Sequence, residues 1–258
     1  MNSWDDPWTP IYYEAFCRDH ARYRLANEAL IGHACLAPGM RVLDLAAGTG
    51  RTAEAAMQTM MSGEIVCVDP SAPMRTEGQR RLGALPIEWR SDLPVDTSFD
   101  RILCGAGFWQ LDPEKEWSRL PGLLKPSGAI CFNVPALYLL EPNGPDADSW
   151  PFDLVAHLIE GRGASPANES RTASAPLTAA RIERWLANAA LAVEAWEFFV
   201  PLTPRDYADW LKIPAVNRDM MPELTPPQRA DRIETALATL TSGSPTLERW
   251  RGWTAWKT

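Results

Sequence analysis

The chain predicts an α/β protein built on a mainly parallel sheet, and three observations carry that expectation. Short, nearly all-apolar runs recur, among them Arg41-Val42-Leu43-Asp44-Leu45 and Glu64-Ile65-Val66-Cys67-Val68-Asp69. Such runs suit strands buried on both faces, as in parallel sheets. Segments of good helix formers alternate with them at the spacing of βαβ units. A glycine turn, Gly48-Thr49-Gly50, leads from the first strand into a helix.

In chain order, residues 14 to 35 read as a helix, and Pro38-Gly39 as the turn after it. Arg41 to Leu45 is the first strand. Arg51 to Met61 suits a helix that Ser62-Gly63 ends. Glu64 to Asp69 is the second strand, stopped by Pro70, and Pro86 to Arg90 a third. Phe99 to Cys104 is the fourth strand, Glu114 to Leu124 a helix, and Gly128 to Val134 the fifth strand. Residues 135 to 178 are rich in Pro, Gly, Ser, Ala and Asn, and so long an irregular stretch inside a domain is usually functional or mobile. Ile182, Trp185, Leu186 and Ala189 then recur at helical spacing. Val193 to Val200 is a sixth strand, and residues 203 to 240 are mostly helical. The ending alternates, with Trp250, Gly252, Thr254 and Trp256 on one side, which suits an antiparallel edge strand.

Composition narrows the function. The 258 residues carry 25 basic and 33 acidic side chains, a formal charge of −8. That disfavours nucleic acid as a partner, because phosphate binding draws on clustered Lys and Arg. No apolar run is long enough to span a membrane. The start, Met1-Asn2-Ser3-Trp4-Asp5-Asp6, has neither the basic nor the apolar region of a secretory signal, so a cytoplasmic protein is expected. Cys17, Cys35, Cys67, Cys104 and Cys131 form no CxxC pair, so no metal site is expected, and they read as small hydrophobes.

The chemistry centres on Val42-Leu43-Asp44-Leu45-Ala46-Ala47-Gly48-Thr49-Gly50-Arg51-Thr52-Ala53. Gly48 and Gly50 let the backbone approach a ligand where a Cβ would clash. The helix start presents free N–H groups to it. Asp69, nineteen residues after Gly50, ends the second strand, where a carboxylate can accept from both hydroxyls of an adenosine ribose. Two cofactor classes share this arrangement. Gly48-Thr49-Gly50-Arg51-Thr52-Ala53 formally fits the dinucleotide pattern G-x-G-x-x-A. Asp44 argues the other way, since its charge would repel a pyrophosphate and attract an α-ammonium group. S-adenosylmethionine has that ammonium and no phosphate.

At these residues the chain resembles the class I S-adenosylmethionine-dependent methyltransferases. Leu43-Asp44-Leu45-Ala46-Ala47-Gly48-Thr49-Gly50 is similar to their first motif, with Ala46 where many members carry glycine. Asp69-Pro70-Ser71-Ala72-Pro73-Met74 is similar to the second. Leu93-Pro94-Val95-Asp96-Thr97-Ser98-Phe99-Asp100 resembles the approach to the fourth strand, and Leu123-Leu124-Lys125-Pro126-Ser127-Gly128 the turn before the fifth. The resemblance covers roughly residues 38 to 135.

The resemblance implies a Rossmann-like, seven-stranded, mainly parallel sheet with helical lid insertions. It would form a single domain over residues 1–258: an N-terminal helical cap (1–37), a cofactor-binding core (38–134), and lid insertions at 135–178 and 203–245. Asp44, Ala46 and Gly48 would line the methionine end, with Gly50 completing the turn, and Asp69 would hold the ribose. Pro70 and Met74 would lie on the adenine faces and Asp92 on its amino group. Cys104 and Gly105 would bring a backbone carbonyl to the ammonium, and Tyr13 would touch the cofactor from the N-terminal segment.

Phe108-Trp109-Gln110 follows the fourth strand, at the sheet edge where such folds bind ligands, and aromatic faces suit a flat substrate or a sulfonium. Trp150 and Phe152 would line the lid. His157 is the single lid histidine, with an ordinary pKa of ~6.5 suited to removing a phenol or hydroxyl proton. The implied reaction is methyl transfer to a small, apolar or aromatic molecule of secondary-metabolite type, releasing S-adenosylhomocysteine. A non-methylating reaction on the same fold, such as a cyclisation or rearrangement, a dinucleotide oxidoreductase, and a non-catalytic binding partner of another methyltransferase are the alternatives. The residues leave the acceptor atom and the oligomeric state open.

Overall fold

A computed structural model describes residues 3–95, 97–112, 115–141, 154–155, 158, 177–239 and 244–257. Seven strands form one sheet: β1 (Arg41–Leu45), β2 (Glu64–Val68), β3 (Ile87–Arg90), β4 (Phe99–Cys104), β5 (Leu124–Pro135), β6 (Leu191–Leu202) and β7 (Thr246–Lys257). Their order is β3-β2-β1-β4-β5-β7-β6. The ladders from β3 to β5 are parallel, and β7 runs antiparallel to both of its neighbours.

The apolar strands are buried on both faces because each successive side chain enters a different core. Leu43, Leu45, Val66, Ile102 and Phe132 face one side, with Trp117, Leu120, Ile182 and Leu186. Val42, Ile65, Cys67, Leu103 and Cys131 face the other, against Leu30, Ala53 and Met57. The helices there are α2 (Arg22–Ala34) and α3 (Arg51–Met60), while α5 (Ala179–Asn188) covers the first side. A third cluster joins Phe16 of α1 (Thr9–Asp19) to α6 (Pro204–Leu211), α7 (Pro214–Asn217) and α8 (Pro226–Thr239), and to Leu154 and Leu158. α4 (Ala72–Leu82) follows β2.

Three local expectations change. The helix expected over 14 to 35 is two helices, because His20 turns to extended backbone at φ −128° and ψ 146°. Its ring is held between Asp206 and Asp209 of α6, at 2.5 and 3.0 Å, so a distant contact overrides local propensity. The helix expected over 114 to 124 is a 3-10 turn, Trp117–Leu123, with Pro121 inside it. Proline donates no hydrogen bond and clashes with the preceding turn of an α-helix. The closing strand is antiparallel but not an edge. β7 pairs Trp253 with Phe132 of β5 and with Ala195 of β6. Its alternation marks two differently filled buried faces, not one wet face: Trp253 joins the β5 core, and Gly252 leaves room for the Trp196 ring, which a Cβ would meet at 2.3 Å. The edge is β6, whose exposed Glu194 and Glu197 blunt further strand pairing.

Candidate cofactor site

β1 and β2 end side by side, Leu45 opposite Val68, so the residues beyond them share the carboxyl edge of the sheet. The chain then turns at Ala46 (φ +53°), Gly48 (φ +56°) and Gly50 (φ +80°) before α3 begins. Left-handed backbone costs an alanine ~1–2 kcal/mol, which explains in physical terms why glycine suits position 46. Asp69 ties the two tips together. Its Oδ2 accepts from Gly48 N–H (2.8 Å) and its Oδ1 from Ser71 N–H (2.9 Å). Burial raises its pKa, and those two N–H groups oppose the rise.

Asp44 is almost wholly buried, at 1% exposure. Its Oδ2 accepts from Ala53 N–H in the first turn of α3, at 3.0 Å. Its Oδ1 is buried, and no donor reaches it among the described residues. Burial pushes the carboxyl up to about 8, the Ala53 N–H lowers it, and Asp69 adds to the rise. A buried carboxyl with one oxygen left over is a seat for a cation or a hydrogen-bond donor.

The other expected residues differ in where they sit. Met74 closes on the turn, its Cε 3.3 Å from where a Cβ on Gly48 would sit. Cys104 ends β4, Gly105 packs against Thr52 and Asn27, and a Cβ on Gly107 would meet that of Ala46 at 2.7 Å. So the β4 loop abuts the β1 turn. Tyr13 lies in the N-terminal segment laid over this edge. Its ring meets Trp4 edge-on at 6.4 Å, and the Trp4 carbonyl accepts from Ser71 Oγ at 2.8 Å. Pro70 and Asp92 are exposed, and Asp92 Oδ2 accepts from its neighbour Ser91 at 2.6 Å. Phe108 is fully buried in the core, stacked on Phe132 at 3.7 Å, whereas Trp109 stacks on Tyr138 at 4.1 Å. Gln110 is exposed. Trp150, Phe152 and His157 lie outside the described residues.

Sequence reasoning missed several groups here. Glu14 of α1 accepts from Thr49 and Arg51 and pairs with Arg81 at 3.0 Å, clamping the N-terminal helix onto the glycine turn. Asn133 Oδ1 accepts from Ala106 N–H (2.9 Å) and its amide donates to the Ala26 carbonyl (2.8 Å), tying the β4 loop to α2. Asn133 could have been found, since a lone amide in the apolar run Ile130-Cys131-Phe132-Asn133-Val134 needs a buried partner. Nothing local marks Glu14.

These residues fit S-adenosylmethionine. The orphaned Asp44 oxygen suits its ammonium, Asp69 keeps lone pairs for two hydroxyls, and Gly48 leaves the backbone open. Among the described residues, no group of three or more His, Cys, Asp and Glu side chains can hold a metal ion, and no helix is long and apolar enough to cross a membrane.

Comparison with known proteins agrees. A methyltransferase domain family matches residues 42–128. A demethylmenaquinone methyltransferase of Clavibacter sepedonicus is 38% identical over 112 residues, which span 40% of this chain and 45% of that protein. The YcgJ protein of Bacillus subtilis has a similar fold, with a TM-score of 0.58 at 18% identity over 91% of this chain and 98% of that one. A mycolic acid cyclopropane synthase, solved with S-adenosylhomocysteine, gives 0.56 at 15% identity over 90% and 83% of the two chains. Residues 42–128 thus match a methyltransferase domain, and the sheet has the Rossmann-like fold of the class I methyltransferases.

Proposed function

We propose that this protein transfers a methyl group to a small, apolar or aromatic molecule, releasing S-adenosylhomocysteine, in secondary metabolism in the cytoplasm. The observation that carries the reading is the pair Asp44 and Asp69 flanking the glycine turn, one of them with a buried oxygen that nothing among the described residues satisfies. The cofactor supplies an electrophilic methyl group when bound. The chain orients that group: Asp44 takes the ammonium, Asp69 takes the ribose hydroxyls, and Met74 covers the turn. In-line placement of the acceptor provides most of the acceleration for such a transfer. Supporting an apolar, flat acceptor is the Trp109–Tyr138 stack beyond β4 and β5. The relative from Clavibacter is named for demethylmenaquinone, which is compatible with that class. The formal charge of −8 favours a small-molecule partner over nucleic acid.

Calorimetric titration tests the first half: S-adenosylmethionine and S-adenosylhomocysteine should bind at micromolar level and NADH should not. Incubation with a panel of phenols and aryl amines, read by mass spectrometry, tests the second. Products without added methyl mass would overturn the transfer reading while leaving the cofactor site intact.

A further inference from the structure

Arg22, at the first position of α2, is 3% exposed. Its Nε donates to Glu248 Oε2 at 2.8 Å and its Nη2 to Glu248 Oε1 at 2.5 Å. Glu248 Oε2 also accepts from Trp250 Nε1 at 2.8 Å. Burial would lower the guanidinium's pKa, but the Glu248 charge and hydrogen bonds more than reverse this, so Arg22 stays charged. The charge is matched; the hydrogen bonding is not. Nη1 carries two N–H groups, is buried, and has no acceptor among the described residues. A buried donor left in that state keeps its full desolvation cost, and the cost is larger when the donor is charged.

Aromatic rings surround this donor. The Arg22 Cζ lies 4.5 Å from the Trp210 ring centroid, 5.5 Å from Tyr23 and 5.6 Å from Trp250. Tyr23 Oη accepts from Trp210 Nε1 at 3.0 Å. Position ties the cage to the cofactor edge. Trp250 pairs with Pro135, the last residue of β5. Ala26, one helical turn beyond Arg22 and on the same face of α2, gives its carbonyl to Asn133, which also holds Ala106 of the β4 loop.

We infer that the Arg22–Glu248 pair is the polar anchor of the acceptor site, with Nη1 donating to a carbonyl or hydroxyl oxygen on an aromatic substrate. Glu248 already neutralises the guanidinium, so the pair selects a neutral oxygen over a carboxylate or phosphate. The rings select a flat apolar body. Nη1 is sealed from solvent here, so the ligand enters only when the side chains around it part. This rests on the methyl-transfer reading for its chemistry, but its test does not.

The probes are 1-tetralone and tetralin, which differ by a carbonyl in place of a methylene. Their binding is read by tryptophan fluorescence, with and without S-adenosylhomocysteine. The protein should bind the ketone at least ~10-fold more tightly, as one hydrogen bond to a charged donor implies. Arg22→Lys should reduce the ratio to within ~2-fold and leave S-adenosylhomocysteine affinity unchanged, as expected for a group outside the cofactor site. If Arg22→Lys does not fold, the double variant Arg22→Met with Glu248→Gln removes the donor without stranding a charge and keeps an acceptor for Trp250. Equal binding of the two probes, no binding of either, or a preference that survives in the folded variants overturns the inference. Loss of S-adenosylhomocysteine binding in the unaltered protein would instead strike the cofactor reading.

Discussion

Two regions of the sheet edge hold buried ionisable groups by different means. At the β1–β2 side, Asp44 and Asp69 bond to backbone N–H groups 9 and 21 residues away along the chain. At the β5–β7 side, Arg22 and Glu248 bond to each other across 226 residues, among tryptophan and tyrosine rings. Backbone donors come with the turn itself, so the first arrangement survives most changes of side chain around it. The second depends on particular side chains from α2, α6 and β7 meeting. A region built from turn geometry suits a ligand common to a whole family, and one built from distant side chains suits a ligand particular to this chain.

The largest expected effect breaks the second region alone. Glu248→Ala leaves a buried guanidinium without its partner, which costs about 3–5 kcal/mol of folding stability. Urea titration followed by tryptophan fluorescence measures it, with S-adenosylhomocysteine affinity of the folded variant unchanged. A loss under ~1 kcal/mol, as at an exposed pair, would show the site to be wetter than its 3% exposure indicates.

Asp69→Ala should do the reverse. Each ribose bond to the carboxylate is worth about 1.5–3 kcal/mol, so affinity for S-adenosylhomocysteine falls at least tenfold. Part of the loss comes from Gly48 and Ser71, whose N–H groups lose their acceptor. Asp69→Asn keeps one acceptor oxygen and should lose less. Unchanged affinity in the alanine variant would remove Asp69 from the cofactor site.

The contrast also accounts for what could be read in advance. β1, β2, β4 and β5, the turn at 48–50, and Asp69 were legible because the information is local: apolar runs, glycines at left-handed backbone, a carboxylate at a strand end. The break at His20, the Glu14 clamp and the Arg22–Glu248 pair were not. Each depends on residues from separate elements meeting, and neither periodicity nor spacing encodes such meetings. β7 shows the boundary within one strand. Its alternation was visible, but whether β6 or β7 lies at the edge turns on Trp253 and Gly252 filling opposite faces.

Acidity separates the regions on a smaller scale. Asp44 titrates near 8, raised chiefly by burial, whereas an unfolded aspartate titrates near ~3.9. The raised value favours the protonated form, so its contribution to folding is complete below ~4 and is lost as pH rises through about 8. Binding runs oppositely. An ammonium on Asp44 needs the carboxylate, so affinity for S-adenosylhomocysteine should rise from pH 6 towards 8, by up to ~10-fold per unit. A proton should leave on binding, seen as buffer-dependent heat, and Asp44→Asn should abolish both. A flat affinity across that range would place the ammonium elsewhere.

The smallest effect probes where the two regions touch. Trp109, just after β4, stacks on Tyr138, just after β5, at 4.1 Å and 6° between planes. Burial raises the Tyr138 phenol well above its ordinary value, so it stays neutral and the stack carries no net charge. Offset aromatic pairs contribute about 0.5–1.5 kcal/mol beyond the area they bury. A double-mutant cycle of Trp109→Leu and Tyr138→Leu in urea isolates that coupling from the cost of each truncation. Coupling in this range means the acceptor wall is preassembled before any ligand arrives, and 1-tetralone should then bind without changing it. Coupling that disappears once the ketone binds means the ligand enters by separating the rings. Coupling near zero in the free protein means the rings only lie near one another, and the cofactor turn and the Arg22 cage are then linked through Asn133 and α2 instead.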